Sequence, residues 1–373
     1  MVSNGVLSAR SSRSGRTSWT FDVREPMATY LATVLIGRYR RRDLAAAPVA
    51  HSLYFPAHLA TRVGTDFARL TEMIAFFTDR FGPYPFASYS VIVTDDELEI
   101  PLEAHGLAVF GSNHVDGEHG SDRLIAHELA HQWYGNSLTV ARWPDLWLQE
   151  GFACYAEWLG EEQRGGRTAD ALAVLHRGRV AALPRDIVVG DPGAHAMFDD
   201  RVYKRGALAL HAIRKSLGDE AFFAALRAYT AARRYGQVST VAVAVSLAGP
   251  IGVDIESVSA VSRAGFDDVA FNALEHTALA AVPFAERDRA RARLWTTKEA
   301  LLKLSGEGLT VNPREVTVGW SSGGASVLLH WPTATLDLTR VHLANFSAGA
   351  GLVGTLAVLS SHAPQVAVLE TVG

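Results

Sequence analysis

A run of five residues, His127 to His131, reads His-Glu-Leu-Ala-His and contains groups that can bind and use a metal ion. On an α-helix, residues four apart lie on one face, so both imidazoles can bind one metal from the same side. Glu128, one step round the helix, can polarise a water molecule at that metal. Glu150 lies nineteen residues after His131 and is the candidate third ligand, which leaves a fourth position open for water. The spacing predicts a zinc hydrolase site. The alternative, an exposed amphipathic helix with two unrelated histidines, leaves the position of Glu150 unexplained.

The composition is that of an ordinary globular protein. The chain has 373 residues, of which 48% are hydrophobic and 20% are charged, so two or three domains are expected. The net charge of −4 gives no sign of nucleic-acid binding. No apolar stretch is long enough to cross a membrane, so we expect no membrane span. The N-terminus lacks the apolar core of a secretory signal, and residues 1–18 are expected to form a mobile tail or the cut-off edge of a domain.

The single cysteine, Cys154, cannot form an intramolecular disulfide. It lies in an apolar stretch with a helical pattern, Gly-Phe-Ala-Cys-Tyr-Ala-Glu-Trp-Leu, which favours a buried structural thiol over a nucleophile. A lone thiol fits a reducing compartment, and we expect a cytoplasmic protein.

The hydrophobic pattern changes at about residue 237, which divides the chain into a mainly helical part and a strand-rich part. Ahead of the helical part, a strand-like run covers 29–36 and a basic segment at 38–43 is interpreted as a linker. The helical part is predicted to contain helices at 65–81, 122–134, 145–162, 203–217 and 220–233, with short strands at 90–93 and 107–110. The second part is predicted to contain strands at 240–247, at 252–255 and beyond 316, with one long helix at 284–303.

Two longer segments carry a family resemblance, His127-Glu-Leu-Ala-His-Gln-Trp-Tyr-Gly-Asn136 and Trp143-Pro-Asp-Leu-Trp-Leu-Gln-Glu-Gly-Phe-Ala153. They resemble the M1 family of zinc aminopeptidases, and the similarity covers about residues 20–235. The resemblance implies an α+β fold with a mainly helical, thermolysin-like zinc peptidase domain of the gluzincin type at 44–237. Residues 1–43 would be a tail and the remnant of a β-rich N-terminal domain. Zinc is the implied cofactor and peptides are the implied substrates.

The resemblance also assigns a substrate-binding role to Glu103. The family has an exopeptidase motif, Gly-x-Met-Glu-Asn, and this chain has Pro101-Leu-Glu-Ala-His105 at the corresponding place, with only the glutamate kept. In the family that glutamate binds the free α-amine of the substrate through an ion pair. The alternative for Glu103 is an ordinary surface carboxylate. The missing Met and Asn alter the edge of the cleft and therefore bear on substrate preference.

A tyrosine before a Lys-Gly-Ala segment steadies the tetrahedral oxyanion in the family, and Tyr203 of Val202-Tyr203-Lys204-Arg205-Gly206-Ala207 matches it. The alternative is a buried phenol that only packs. In the implied mechanism, zinc activates water, Glu128 takes its proton and later passes it to the leaving amine. Glu157 lies two helical turns after Glu150, where an exposed helix face is expected over a role in orienting a histidine.

The strand-rich part contains a second set of charged residues. Asp254 and Glu256 of Ile251-Gly-Val-Asp-Ile-Glu256 lie at alternate positions of a predicted strand, so both can bind one hard cation. Further on, the sequence reads Trp295-Thr-Thr-Lys-Glu-Ala-Leu-Leu-Lys303. On a helix, Glu299 and Lys303 are neighbours one turn apart and Lys298 is adjacent to Glu299. A third carboxylate beside two ammonium groups suits magnesium together with a pyrophosphate.

These two motifs together resemble the 4′-phosphopantetheinyl transferases of the surfactin-synthetase-activating type, over about residues 238–340. The resemblance implies that 238–373 is a smaller α+β lobe in which Asp254, Glu256 and Glu299 hold magnesium. Lys298 and Lys303 would contact the phosphates of coenzyme A, and the partner would be an acyl or peptidyl carrier protein. The basic run at 287–293 could receive that carrier or form an exposed helix face. The family has two similar lobes, and the first is missing here.

Three hypotheses about function follow. The chain is a zinc aminopeptidase with an appended fragment, a phosphopantetheinyl transferase carrying a peptidase fragment, or an inactive join of two truncated regions. The absence of a Gly/Ser/Pro-rich linker at 236–241 favours a direct join.

Overall fold

The computed structural model of the chain describes residues 1–184, 186–240, 251–263, 265–346 and 351–360. The chain forms two compact units, unit 1 at Met1–Thr240 and unit 2 at Val241–Gly373. Both mix helix and sheet. In the part of the chain described, no helix has the length and apolar character that a membrane crossing requires.

Unit 1 begins with two small antiparallel pairs. Strand β1 (Val2–Ser3) pairs with β4 (Val34–Leu35), and β2 (Val6–Arg13) forms a hairpin with β3 (Arg16–Asp22). Of the two alternatives for residues 1–18, the mobile tail is therefore wrong. The buried side chain of Asn4 explains why, because its Nδ2 donates to the carbonyls of Leu31 and His105, both at 3.0 Å. This ties the N-terminus to the body of the unit.

A five-stranded sheet follows, in the order β5-β6-β7-β9-β8. Its two inner pairings are parallel and its two outer pairings are antiparallel. The strands are β5 (Arg40–Ala45), β6 (Ala50–Phe55), β7 (Ser88–Val93), β8 (Leu102–Ala104) and β9 (Leu107–Phe110). Two further short strands, β10 (Thr139–Val140) and β11 (Gln237–Val238), form a separate parallel pair.

Two sequence predictions near this sheet are wrong. The basic segment interpreted as a linker forms most of β5, where exposed arginines suit an edge strand because charge discourages pairing with another chain. The strand expected at 29–36 is a short 3-10 helix, Thr29–Leu31, followed by the two-residue β4. Strand β6 lies in a stretch predicted to be mostly helical.

The helices of unit 1 bury the apolar faces that the sequence pattern indicates. In α2, residues Leu70, Ile74, Phe77 and Phe81 are buried at helical spacing, and the helix ends at Gly82, whose φ of 100° suits glycine. Trp133 packs edge-on against Phe81 and donates to the Gly82 carbonyl at 3.0 Å. The helices are α1 (Ala60–Asp66), α2 (Leu70–Phe81), α3 (Asp122–Ala130), α4 (Trp147–Gln163), α5 (Ala169–Ala181), α6 (Asp200–Leu217) and α7 (Asp219–Arg233).

Helices α4 and α6 approach each other unusually closely because a glycine faces a glycine. A Cβ added to Gly151 would lie 2.8 Å from the Cα of Gly206, closer than real Cβ atoms come to other atoms. The contact brings the backbone of α6 against the turn of α4 that carries Glu150. Tyr203 lies one turn before Gly206 and is brought to the same region.

Unit 2 packs one long helix on an antiparallel sheet. The sheet has the order β12-β16-β15. A separate antiparallel hairpin, β13 and β14, lies between β12 and β15 along the chain. Gly252 allows its strand to approach the long helix closely, because a Cβ there would clash with the carbonyl oxygen of Ala300. The elements are β12 (Ile251–Ser257), α8 (Phe266–Ala270), α9 (Ala273–Ala280), α10 (Arg287–Ser305), β13 (Thr317–Trp320), β14 (Ser326–His330), β15 (Val341–Phe346) and β16 (Leu352–Leu359).

The core of unit 2 is formed by α10 against the sheet, with Leu294, Leu301 and Leu304 buried. The long helix predicted at 284–303 is confirmed, with its α-helical part beginning three residues later. The short helices α8 and α9 were not predicted. The strand expected at 240–247 lies largely outside the described residues.

Candidate metal and catalytic site

Three buried side chains of unit 1 converge as the sequence spacing predicts. His127 lies in α3, His131 directly follows that helix, and Glu150 lies in the first turn of α4. Glu150 Oε2 is 3.3 Å from His127 Nε2 and 3.5 Å from His131 Nε2. One ligand atom from each residue lies within 4.8 Å of those from the other two. Two nitrogens and one carboxylate oxygen at such distances match a donor set that catalytic zinc sites use.

The other ring nitrogen of each histidine is held by a hydrogen bond. His127 Nδ1 lies 2.8 Å from Glu157 Oε1, and His131 Nδ1 lies 3.0 Å from the carbonyl of Tyr134. Each acceptor favours a proton on Nδ1, which leaves Nε2 as the nitrogen that faces Glu150. These contacts also fix the plane of each ring.

The exposed position expected for Glu157 is wrong, because its side chain is only 4% exposed. The reason is that α4 is buried on all its faces from Trp147 to Gly160, so that stretch has no solvent face. Arg123 Nη1 donates to Glu157 at 3.0 Å, and Lys204 Nζ lies 4.0 Å away. Burial raises the pKa of Glu157, but the contacts with His127 and the two cations outweigh it and lower that pKa overall.

Mutual electrostatics dominate the three convergent groups. Burial lowers the pKa values of both imidazoles, but the surrounding carboxylates together outweigh it. Glu150 and Glu157 raise the pKa of His127 to about 9, and Glu150, with smaller contributions from Glu103 and Glu128, raises that of His131 to about 10. The two histidines in turn hold the pKa of Glu150 well below its usual value, against the effect of burial. These mutual effects favour a negative charge on Glu150 and positive charges on both imidazoles.

Glu128 is buried beside this set. Burial raises its pKa to about 7, despite the opposing effect of the two histidines. Its Oε2 has no hydrogen-bond partner among the described residues, and buried polar atoms of this kind generally have one. The carboxylate therefore has a free acceptor at the site.

Glu103 lies close to Glu128 and His131, since ligand atoms of all three fall within 4.8 Å of one another. It belongs to β8, and its side chain is partly buried. The structure thus brings Glu103 to the site, which an ordinary surface carboxylate would not require.

Two residues that sequence reasoning did not single out hold the hairpin that carries Glu103. Gln132 Nε2 donates to the carbonyl of Ala104 at 3.2 Å, and Gln132 Oε1 accepts from the backbone of Gly106 at 3.0 Å. Asn136 Nδ2 donates to the same Ala104 carbonyl at 2.9 Å. Gln132 directly follows His131 and Asn136 lies four residues further on, and their place in the segment from His127 to Asn136 is the signal that could have identified them.

Tyr203 stacks on a metal-ligand candidate. Its ring lies 6.0 Å from that of His127, with an angle of 15° between the planes. Burial and the nearby Glu150 carboxylate raise the pKa of Tyr203 well above its usual value, so the phenol keeps its proton and can donate a hydrogen bond. Asp199 caps the start of α6 by accepting from the backbone of Arg201 at 2.9 Å.

A second tyrosine near the site was not predicted. Tyr30 donates to the carbonyl of Gly135 at 3.3 Å and accepts from Gln149 Nε2 at 3.2 Å. Its ring lies 5.6 Å from that of Trp143, and both rings are about half exposed. Burial, with smaller contributions from Glu103 and Glu150, raises the pKa of Tyr30 to about 12.

Cys154 is fully buried, which agrees with a structural thiol. Its Sγ lies 3.3 Å from Lys204 Nζ, and burial raises the pKa of the thiol far above its usual value. A thiol that stays protonated is a poor nucleophile.

Unit 2 has its own cavity, of about 360 Å³, lined by Asp254, Glu256, Glu299 and Lys303. Lys303 Nζ lies 2.6 Å from Asp254 Oδ1 and 3.9 Å from Glu299 Oε2. Asp254 Oδ2 is buried without a hydrogen-bond partner among the described residues. Burial raises the pKa values of Asp254 and Glu299. In the part of the chain described, these three carboxylates do not converge within 4.8 Å as the histidine set of unit 1 does.

The phosphate-binding role predicted for Lys298 is contradicted by its position. Its side chain is fully buried and forms an ion pair with the fully buried Glu275 at 2.5 Å. It also donates to the carbonyls of Ala270 at 2.8 Å and Pro313 at 3.0 Å. All three ammonium protons are used inside the core, so Lys298 joins α10 to neighbouring segments and has no donor left for a phosphate.

Two protein-family models match parts of this chain. Residues 66–262 match the model of the peptidase family M1 domain. This match spans more than half of the chain, and the chain belongs to peptidase family M1. A separate match, to the 4′-phosphopantetheinyl transferase superfamily, covers residues 250–353.

Individual proteins with similar sequences or structures are aminopeptidases or M1 zinc metallopeptidases. Human endoplasmic reticulum aminopeptidase 1 is 29% identical over 238 residues, which are 58% of this chain and 25% of that protein. Aminopeptidase N of Lactococcus lactis is 28% identical over 240 residues, 58% of this chain and 28% of that protein. The crystal structure of an M1 zinc metallopeptidase from Deinococcus radiodurans is 32% identical, with a TM-score of 0.59 over 66% of this chain and 56% of that one. The chain thus spans about a quarter of the length of the curated relatives.

Proposed function

We propose that unit 1 is a zinc-dependent aminopeptidase domain, at about residues 44–237, that removes residues from the N-termini of peptides. The convergence of His127, His131 and Glu150 beside Glu128 carries the proposal. Glu103 adds a carboxylate at the same site, which suits a substrate with a free α-amine. The relatives named above are aminopeptidases, and one related structure was solved with a Tyr-Ser-Ala substrate.

Zinc fits the groups present. Two imidazole nitrogens and one carboxylate oxygen are ligands that zinc prefers, and the Nδ1 hydrogen bonds leave both Nε2 atoms available to it. When bound there, zinc would act as a Lewis acid towards a peptide carbonyl and would lower the pKa of water.

The residues of the chain would supply the remaining chemistry. Glu128, with its free carboxylate oxygen, would take a proton from water and pass it to the leaving amine. The phenol of Tyr203 would donate a hydrogen bond to the carbonyl oxygen as negative charge develops on it. Glu103 would pair with the α-ammonium group and thereby select chain ends.

Aminoacyl fluorogenic substrates test this proposal together with metal analysis. We expect about one zinc per chain and turnover of free aminoacyl substrates, with little turnover of the same substrates after N-acetylation. Glu128→Gln is the control, because it keeps the shape of the side chain and removes the base. Equal rates of substrate hydrolysis for wild type and Glu128→Gln would contradict the proposal.

A second function is supported by the cavity of unit 2. Asp254, Glu256, Glu299 and Lys303 line it together, and the phosphopantetheinyl transferase match covers the same residues. We propose that these carboxylates bind magnesium and that Lys303 meets a phosphate of coenzyme A. Incubation with coenzyme A, magnesium and an apo carrier protein, with Asp254→Asn as control, tests this through the mass of the carrier. An unchanged mass, combined with no peptidase activity, would favour the inactive join.

A further inference from the structure

A cavity of about 270 Å³ lies near the N-terminus of unit 1, outside the catalytic set. Asp22, Arg24, Glu25, Phe86 and His105 are among the residues that line it. Pockets that hold drug-sized ligands are larger, roughly 300–1,000 Å³. The volume therefore suits a small molecule.

His105 is a buried residue in the wall of this cavity. The residue is 2% exposed, and neither ring nitrogen has a hydrogen-bond partner among the described residues. The ring is held against that of Phe86, with centroids 4.0 Å apart. Burial lowers the pKa of His105, so the imidazole is neutral and offers one donor and one acceptor. Both nitrogens are shielded from solvent, so this neutral ring gives the cavity an uncharged wall.

Three charged residues line the same cavity without neutralising one another, of which Asp22 and Arg24 are exposed and Glu25 is partly buried. Within the described residues, the side chains of Asp22, Arg24 and Glu25 form no salt bridge and no hydrogen bond. A guanidinium binds a carboxylate through two parallel N–H groups, and carboxylates accept hydrogen bonds from an ammonium group. Unpaired charges of both signs around one small space match a ligand that carries both signs.

We propose that this cavity binds a free α-amino acid. Its carboxylate pairs with Arg24, and its ammonium group pairs with Asp22 and Glu25. The amino-acid side chain lies against the apolar part of the lining, which includes Val6, Phe86 and Leu107.

The position of this cavity links it to the catalytic set. His105 and Gly106 form the turn between β8 and β9, two residues after Glu103. A bound amino acid would contact the hairpin that carries the proposed amine-binding carboxylate. Only this connection, in which a product of hydrolysis occupies the cavity, rests on the proposed function.

Calorimetric titration of the full chain, stripped of metal by a chelator, tests the proposal directly. The probe is L-leucine, and the two analogues are N-acetyl-L-leucine, which lacks the ammonium charge, and L-leucinamide, which lacks the carboxylate. We expect leucine to bind and each analogue to bind about tenfold more weakly or worse. Absence of leucine binding, or equal affinity for an analogue, would overturn the proposal.

Variants assign the binding to this cavity. Arg24→Gln should weaken leucine binding about tenfold or more, while Arg38→Gln, at an exposed arginine outside the lining, should not change it. Glu103→Gln should retain binding, because the catalytic cleft is not the site. Loss in Glu103→Gln with no effect of Arg24→Gln would overturn the assignment. A chain that binds leucine as expected and hydrolyses no peptide would contradict the proposed function alone.

Discussion

At the scale of single residues, Glu157 shows that a candidate metal site also depends on residues that orient the ligands. Its carboxylate holds His127 through Nδ1 and is itself held by Arg123 and the nearby Lys204. The sequence predicts the ligands because their spacing follows helix geometry. It does not predict the role of Glu157, because burial of all faces of α4 is set by the packing of α3 and α6 and not by the local pattern.

Glu157→Ala should weaken zinc binding about 10- to 100-fold, because His127 loses the acceptor that fixes its ring and its tautomer. Competition with a chromophoric chelator measures the affinity. Glu161→Ala is the matched control, since Glu161 lies one turn later on α4 and pairs with Arg167, away from the histidines. Equal affinities for the two variants would show that Glu157 has no part in metal binding.

Lys298 belongs to a sequence motif that predicts phosphate binding, but in the structure it forms a buried ion pair with Glu275 that supports the core. Lys298→Met leaves Glu275 charged and buried without its partner, which should lower the free energy of unfolding of unit 2 by about 3–5 kcal/mol. The double variant Lys298→Met/Glu275→Leu should recover most of that loss, because both charges are removed. Urea unfolding followed by circular dichroism measures both. A double variant as unstable as the single one would contradict the ion-pair explanation.

At the scale of elements, the catalytic geometry depends on how closely helices approach. Gly206→Ala inserts a methyl group where α6 meets Gly151 of α4, so it should destabilise unit 1 by about 1–3 kcal/mol and displace Tyr203 from its place beside His127. Thermal unfolding and turnover of an aminoacyl substrate check the two effects.

Gly178→Ala is the control, because Gly178 is an exposed residue of α5 with open space where its Cβ would lie. This change should stabilise the protein by about 0.5–1 kcal/mol, since alanine favours the helix more than glycine does. If both glycines tolerated alanine equally well, the close packing of α4 and α6 would not determine the site.

Elements with a strong local pattern could be predicted, and elements set by distant contacts could not. The apolar spacing of α2 and of α10 is visible in the sequence, and the structure has both helices with small differences at their ends. The N-terminal strands and β5 were missed because polar, arginine-rich segments carry little hydrophobic periodicity. Their order comes from partners far along the chain, as the contact of Asn4 with His105 illustrates. The roles of Glu103, Tyr203 and the unit 2 carboxylates stay predictions.

At the scale of the whole molecule, the chain has two compact units with separate cores and separate sites. Each should therefore unfold in its own transition, and a change confined to one unit should move only that transition. Saturating zinc, at about 100 times its dissociation constant, should stabilise unit 1 by about 2.7 kcal/mol. For a unit of this size, that corresponds to a rise of about 5–10 °C in its midpoint.

Zinc removal and the Lys298→Met change can be combined in differential scanning calorimetry. Removing zinc with a chelator should lower one transition and leave the other unchanged, whereas Lys298→Met should lower the second and leave the first unchanged. Because one acts at the histidine set and the other in the core around α10, their effects should add when both are applied. A single transition that both perturbations shift would mean that the units unfold together, and the stability of each site would then depend on both halves of the chain.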